Sequence, residues 1–282
     1  MNSPLKWMGG KKKLLPFIEK HIPEYNTYIE PFMGSAAVFF SQEPENSICS
    51  DIQSEPIDVL NAIKEKPEGF YALFDEYAKQ LWESGSDYYY HMRDEYNNNK
   101  QKFYYVKRAA MFMILSRAGF NGLIRFNSKG SWNVPFGDRG NHDSKEQATI
   151  LTSFLSIDKI LSWSDFLNTG NKRFYNQSFS ESIQAAQKGD FIYCDPPYLI
   201  TTQQYNEWTQ DHETQLANDL RDADSRGVKF ILSNVYRYKG EENQALLDLY
   251  SGFNYELKNH KYIVGPNQTR RQSVEEIIIF NA

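Results

Sequence analysis

Apolar positions in the 282-residue chain change their spacing twice along its length, and those changes predict how it is organised. Residues 14–21 carry apolar side chains at helical spacing, 28–30 read as a short strand, 35–40 as a helix entered through a glycine, and 47–51 as a second strand. This is a βαβ rhythm. Beyond Pro56 the period stays helical over 57–63, 70–82 and 103–117, with the polar segment 96–100 predicted as a loop. Residues 120–140 are aromatic and rich in Asn and Gly, and Asn127-Ser128-Lys129-Gly130 predicts the turn of a β-hairpin. The first rhythm then returns, with strands over 173–176, 191–194 and 228–233, a helix over 213–225, and a closing pair of strands over 255–264 and 274–280. Strands alternating with helices predict an α/β fold with a mostly parallel sheet. Its two parts, residues 1–55 and 169–282, flank an inserted, mainly helical domain at 56–168.

Composition narrows the function classes. With 40% hydrophobic residues the chain can bury a sizeable core. No run approaches the ~20 apolar residues that span a bilayer, and the opening MNSPLKWMGGKKKLL has no apolar stretch of signal-peptide length, so the expected location is cytoplasmic. Cys49 and Cys194 sit in apolar, strand-like segments, as small buried hydrophobes do, rather than as a disulfide or metal ligands. The five histidines show no metal-ligand spacing. A net charge of −5 argues against a general nucleic-acid coat, yet the charge is uneven. Between Lys100 and Gly140 stand Lys100, Lys102, Lys107, Arg108, Arg117, Arg125, Lys129 and Arg139, against Asp138 alone. That excess predicts a basic face for a polyanion or, over 100–108, a solvated helix face.

Ligands of parallel α/β sheets bind at the C-terminal ends of the strands, so the chemistry is sought there. In TYIEPFMGSAAVFF, Gly34 lets the backbone approach a ligand and the following helix start offers unpaired N–H groups. Asp51 ends the next strand, 17 residues after Gly34. Alone it could equally cap a helix; with Gly34 it fits an acid that accepts hydrogen bonds from ribose hydroxyls. LKWMGGKKK combines an aromatic plate (Trp7), a flexible backbone (Gly9, Gly10) and a cation (Lys11). In DFIYCDPPYLI, consecutive prolines fix the backbone, so Asp195, the Pro196 carbonyl and the Tyr198 ring are held with little freedom. An acceptor pair beside an aromatic plate suits a planar amine.

In their order, W-x-G-G-K, E-P-F-x-G-S, S-D, F-N-G-L-x-R-x-N, N-V-P-F-G and D-P-P-Y resemble the Dam-type DNA adenine-N6 methyltransferases over nearly the whole chain, with likeness to the phage branch around DPPYLI. The resemblance implies a class I fold dependent on S-adenosylmethionine (SAM), with a Rossmann-like, seven-stranded, mostly parallel sheet and an inserted DNA-recognition domain carrying a β-hairpin. It implies methylation of N6 of an adenine flipped out of duplex DNA, with S-adenosylhomocysteine as product and no metal. Asp195, Pro196 and Tyr198 would be catalytic. Trp7, Gly9, Lys11, Phe32, Gly34, Ser35, Asp51, Phe179 and Asp195 would contact SAM, Phe179 against its adenine; Ser178 stands where the family often has Asp. Lys6, Asn121, Leu123, Arg125, Pro135 and Arg139 occupy DNA-contact positions, Phe120 that of a wedge, and Arg125 that of a base reader. The expected site is GATC and the expected state a monomer, whether as a solitary methylase, the partner of a restriction enzyme or a phage factor. Tyr205, in the polar segment TTQQYNEW, is expected on a loop that closes over the site. Competing readings are methylation of an RNA adenine or a protein glutamine, and a non-catalytic DNA-binding module.

Overall fold

The computed structural model describes residues 1–7, 11–137, 155–200, 208–263 and 271–281. Contacts group the chain into two units, each assembled from three segments. A sheet unit comprises Lys12–Met33, Gln42–Ile52 and Gln177–Ala282, and a helical unit comprises Met1–Lys11, Gly34–Ser41 and Gln53–Asn176. The helical unit therefore draws in the N-terminal arm and the segment after Gly34, which lie outside 56–168.

In the sheet unit, α1 (Leu15–Ile18) leads to β1 (Tyr28–Glu30), and β2 (Asn46–Asp51) lies parallel to it. On the other side of β1 lies β4 (Phe191–Cys194), also parallel, followed by β5 (Lys229–Tyr238). The C-terminal pair, β7 (Asn254–Ile263) and β8 (Arg271–Phe280), closes the sheet antiparallel in the order β2-β1-β4-β5-β8-β7, with the two-residue β6 (Glu241–Glu242) beside β5. All four residues of β4 are buried, as its unbroken apolar run requires of a central parallel strand. β5 runs past the expected Ser233 because β8 pairs with it as far as Tyr238, across an irregularity between Val235 and Arg237.

Two helices cover the sheet. α7 (Phe179–Ala185) starts from a Ser178/Glu181 capping box, and α8 (Gln210–Ser225) from a Thr209 cap that accepts from the His212 N–H. α8 buries Leu216, Ala217, Leu220 and Ala223, one helical stripe, in a core with Ile29, Ile192, Phe230 and Leu232. The short α9 (Gln244–Leu249) adds Leu246.

The helical unit holds most of α2 (Ala37–Gln42), then α3 (Ser54–Glu65), α4 (Pro67–Asn99), α5 (Tyr105–Ala118), α6 (Ile157–Asn168) and β3 (Asn171–Asn176). α5 is buried on almost every side, from Val106 to Ala118. α4 kinks at Gly85, whose φ of 59° and ψ of −132° only glycine adopts readily. It does not give way to a loop at 96–100. Tyr89, Met92 and Tyr96 continue its buried stripe at helical spacing, and Asn97 is drawn inward by the segment after α5. The Asn97 side chain accepts from the Trp132 N–H at 2.7 Å and donates to the Trp132 carbonyl at 3.0 Å. The Trp132 indole donates to Tyr89, whose hydroxyl donates to the Val134 carbonyl. The expected hairpin is thus held from behind, through two bridges, Phe126 with Trp132 and Gly119 with Phe136, around a turn at Asn127 to Gly130.

Half of the basic excess between Lys100 and Gly140 is internal. Arg108 forks onto Asp58 at 2.7 and 2.9 Å, Lys100 donates to Glu55 at 3.2 Å, and Lys107 to Glu95 at 2.9 Å. Arg117 donates to the Pro4 carbonyl, and its burial lowers the guanidinium pKa to about 10. Within 100–108 the cations Lys100, Lys107 and Arg108 are thus paired with acids while Lys102 and Tyr104 stay exposed; Arg125 and Lys129 are exposed on the hairpin. Asn97→Ala removes both bonds to the Trp132 backbone and is expected to destabilise the protein by about 1–3 kcal/mol with helicity retained, measured by urea unfolding under far-UV dichroism.

Candidate functional site

The sheet unit brings an acid, two hydroxyls and a proline carbonyl to one strand end. β1, β4 and β5 run parallel, with Ile29 beside Ile192 and Cys194 beside Leu232, so the chain leaves β4 at Asp195 next to Ser233 of β5. Asp195 is half-buried and Pro196 buried. Asp195 Oδ1 accepts from the Tyr198 hydroxyl at 2.6 Å and from Ser233 Oγ at 2.9 Å. Behind them the Tyr193 hydroxyl lies 3.0 Å from Ser233 Oγ. Burial and the Asp195 charge push the Tyr198 hydroxyl well above its ordinary pKa, so it stays protonated as a donor. The Cys194 thiol is likewise pushed far up by burial, which leaves it without thiolate character. Asp195, Pro196 and Tyr198 thus share one turn, as their sequence spacing predicts; Ser233 and Tyr193 join them without having been singled out.

Just beyond the end of β1, Phe32 joins two further rings in a cluster packed against the sheet-unit core. Phe32 and Phe179 stack at 5.3 Å with 22° between planes, and Trp208 meets each at 5.5 Å, edge-on to Phe32. The Trp208 indole is fixed by donation to Glu213 at 2.8 Å. Such a cluster presents flat apolar surface to a planar ligand. Ser178 does not share that role: its hydroxyl donates to Glu181 Oε2 at 2.8 Å and accepts from the Glu181 N–H, closing the capping box. That side chain is committed to starting α7. Asp51 ends β2, where the Ser50 carbonyl accepts from the Met33 N–H at 2.9 Å, so its carboxylate stands at the C-terminal rim of the sheet.

In the helical unit, Gly34 has φ of +45°, and a Cβ built on it would lie 3.0 Å from Trp7 Cδ1. Only glycine meets both demands comfortably. The next residues, half-buried Ser35 and then Ala36 with φ of 54°, complete a tight turn, so α2 begins at Ala37 rather than at residue 35. Lys11 is buried at the start of a 3-10 turn. Around the hairpin, Lys6 donates to the Asn121 carbonyl at 3.5 Å, and Asn121 takes a left-handed φ of 54° followed by Gly122 at 62°. Phe120 is 45% exposed, and Leu123 is half-buried. Exposed Pro135 offers its carbonyl to the Phe120 N–H, tying the two arms together. Arg125 donates from Nε to the Asn133 side chain at 2.7 Å and from Nη2 to the Asn133 carbonyl at 3.2 Å. Gly9, Arg139 and Tyr205 lie outside the described residues.

A mostly parallel sheet with an antiparallel closing pair, carrying an acid-proline-proline-tyrosine turn at the end of its central strand, defines a class I methyltransferase fold. The chain belongs to the D12 class N6 adenine-specific DNA methyltransferases, which it matches over residues 7–264. It is similar to the type II methyltransferase M1.LlaDCHI of Lactococcus lactis subsp. cremoris, 32% identical over 285 residues, covering 98% of this chain and 94% of that protein. M.MjaIII, a type II methyltransferase of Methanocaldococcus jannaschii, is 31% identical and covers 98% of each chain. The DNA adenine methylase of Escherichia coli K12 is 30% identical over 243 residues, 82% of this chain and 79% of that protein. The protein is therefore an adenine-specific DNA methyltransferase acting on DNA, and the RNA, glutamine and non-catalytic readings fall away. Among the described residues no helix is long and apolar enough to cross a membrane.

Gly34→Ala forces a side chain into the left-handed region against Trp7 and is expected to cost about 1–3 kcal/mol, read as a lowered thermal midpoint.

Proposed function

We propose that the protein transfers the methyl group of SAM to N6 of an adenine flipped out of duplex DNA, within GATC, and that Asp195 is the acceptor on which the reaction turns. The observation that carries this reading is the β4 turn, where a half-buried carboxylate stands next to a buried proline and a neutral tyrosine. The residues present fit SAM. The Phe32, Phe179 and Trp208 rings suit an adenine face and Asp51 suits ribose hydroxyls at a strand end, with Gly34 assigned to the cofactor by the resemblance. By the resemblance, Trp7, Gly9, Lys11 and Ser35 complete that set. When bound, the cofactor supplies an electrophilic methyl on a sulfonium.

What the chain must add is a better nucleophile. Adenine N6 is weak because its lone pair is delocalised into the ring. Hydrogen bonds from the amine to the Asp195 carboxylate and the Pro196 carbonyl draw that pair back onto nitrogen, and they strengthen as positive charge develops there. The Tyr198 ring stacks on the extruded base and offsets part of the few kcal/mol that unstacking costs. Its hydroxyl already bonds to Asp195 Oδ1, so ring and carboxylate are held in one arrangement before a base arrives. Alignment of nitrogen, carbon and sulfur supplies the remaining catalysis.

Sequence reading falls to the hairpin. Two Arg125 donors are used by Asn133, which aims a fork that still carries three of its five N–H groups. Such a fork suits guanine O6 and N7 in the major groove. Lys6, Asn121, Leu123, Pro135 and Arg139 are assigned to the surrounding contacts, and Phe120 to the gap left by the flipped base. The Dam-type motifs support GATC as the site, and a monomer as the acting species.

With labelled SAM and a GATC duplex, Asp195→Ala is expected to lower methyl transfer at least ~100-fold while SAM binding persists; an active Asp195→Ala enzyme would refute the mechanism. Arg125→Ala is expected to lose about 1–3 kcal/mol of discrimination between GATC and a duplex altered at its guanine, read as the ratio of kcat/KM values.

A further inference from the structure

We propose that Ser233, backed by Tyr193, is a positioning residue that sets the orientation of the Asp195 carboxylate; this rests on the reading of Asp195 as the acceptor for the adenine amine. The prolines after Asp195 fix its backbone but leave two side-chain torsions open, so something else must hold the carboxylate plane. Ser233 is placed to do so together with Tyr198. It lies in a run of six buried residues in β5, is 1% exposed, and interrupts the apolar sequence FIL with a hydroxyl. A buried hydroxyl costs free energy that alanine at the same place would not, unless its bonds are made. Here they are made, and they lead to Asp195.

Proton counting gives the chain a direction. An ionised carboxylate only accepts, so Ser233 spends its single proton on Asp195 Oδ1 at 2.9 Å, a shorter reach than its 3.4 Å to the Cys194 carbonyl. The Tyr193 hydroxyl, 3.0 Å from Ser233 Oγ, must then be the donor of that pair. Tyr193 is itself 1% exposed, and lies two residues before Asp195 on β4, on the same face of the sheet. The result is a donor chain, Tyr193 to Ser233 to Asp195, running inside the sheet, in which each bond polarises the next. Tyr198 donates to the same Oδ1 from the turn. Two donors arriving at one oxygen from different elements fix the plane of the carboxylate, and with it the direction from which an amine can meet it.

The test is single-turnover methyl transfer to duplex DNA with the full chain. Ser233→Ala is expected to slow transfer by about 10- to 100-fold with SAM and DNA affinities retained, because a small misplacement at the reacting centre acts on the rate and not on binding. Tyr193→Phe is expected to have a smaller effect, and Ser233→Thr, which keeps the hydroxyl, to recover most of the rate. In the double variant Ser233→Ala/Tyr193→Phe the loss should fall well short of the product of the two single losses, since the relay runs from Tyr193 through Ser233. Losses that multiply in the double variant, or a Ser233→Ala enzyme at the parent rate, overturn the relay while leaving Asp195 as the acceptor. Parent-level transfer by Asp195→Ala overturns both. If Ser233→Ala does not fold, Tyr193→Phe alone decides, through a lowered transfer rate at unchanged binding.

Discussion

The proposed active site depends on a carboxylate held at the end of a fully buried strand. β4 is buried along its whole length because β1 and β5 flank it and helices cover it, and this leaves no freedom in where the chain emerges. At that point a charge becomes tolerable only if it is hydrogen-bonded. The Asp-Pro-Pro-Tyr turn meets the condition with the Tyr198 hydroxyl, and the neighbouring strand meets it with Ser233. Packing thus fixes the position of Asp195, and hydroxyls fix its orientation. In the proposed mechanism the same groups that make the charge bearable prepare it to accept from an amine.

The helical unit solves a different problem with similar means. Its interior contains Asp58 and Glu55 at 8% and 6% exposure, each matched by a cation from a later helix turn, and Tyr96 also donates to Glu55. Removing one partner of such a pair leaves an uncompensated charge, so these contacts fix helix registers more than they add stability. The reward is a hairpin anchored by Trp132, Tyr89 and Asn97. Arg125 and Phe120 stay exposed on it.

Much of this was legible in the sequence. An unbroken apolar run located β4 to the residue, because a central parallel strand has no polar face to confuse the pattern. The Asp195 turn was legible because prolines make local rules decisive. The long-range commitments were not. Lys100, Lys107 and Arg108 look like a solvated basic face until Glu55, Glu95 and Asp58 are brought to them from distant positions. In the sequence the helical spacing ends at 82, just before the Ser84-Gly85-Ser86 stretch, and 96–100 reads as a loop; α4 instead continues through a kink at Gly85, and burial of Tyr96 and the Asn97 bond to Trp132 hold its last turn helical. Trp208 gave a signal, an aromatic directly before the Thr209 cap, but its contact with Phe32 and Phe179 is set by the fold. Ser233 and Asn234 gave the plainest missed signal, a polar pair inside FILSNV, where an apolar strand alone would not place one.

The central claim is that one oriented carboxylate makes this fold an adenine-N6 methyltransferase of a defined DNA sequence. The most direct measurement is expression of the full chain in a bacterial host devoid of adenine methylation, followed by base-resolution mapping of modified bases across its genome. The account predicts N6-methyladenine at GATC sites. A genome without N6-methyladenine, or one carrying the methyl group on another base, would contradict it.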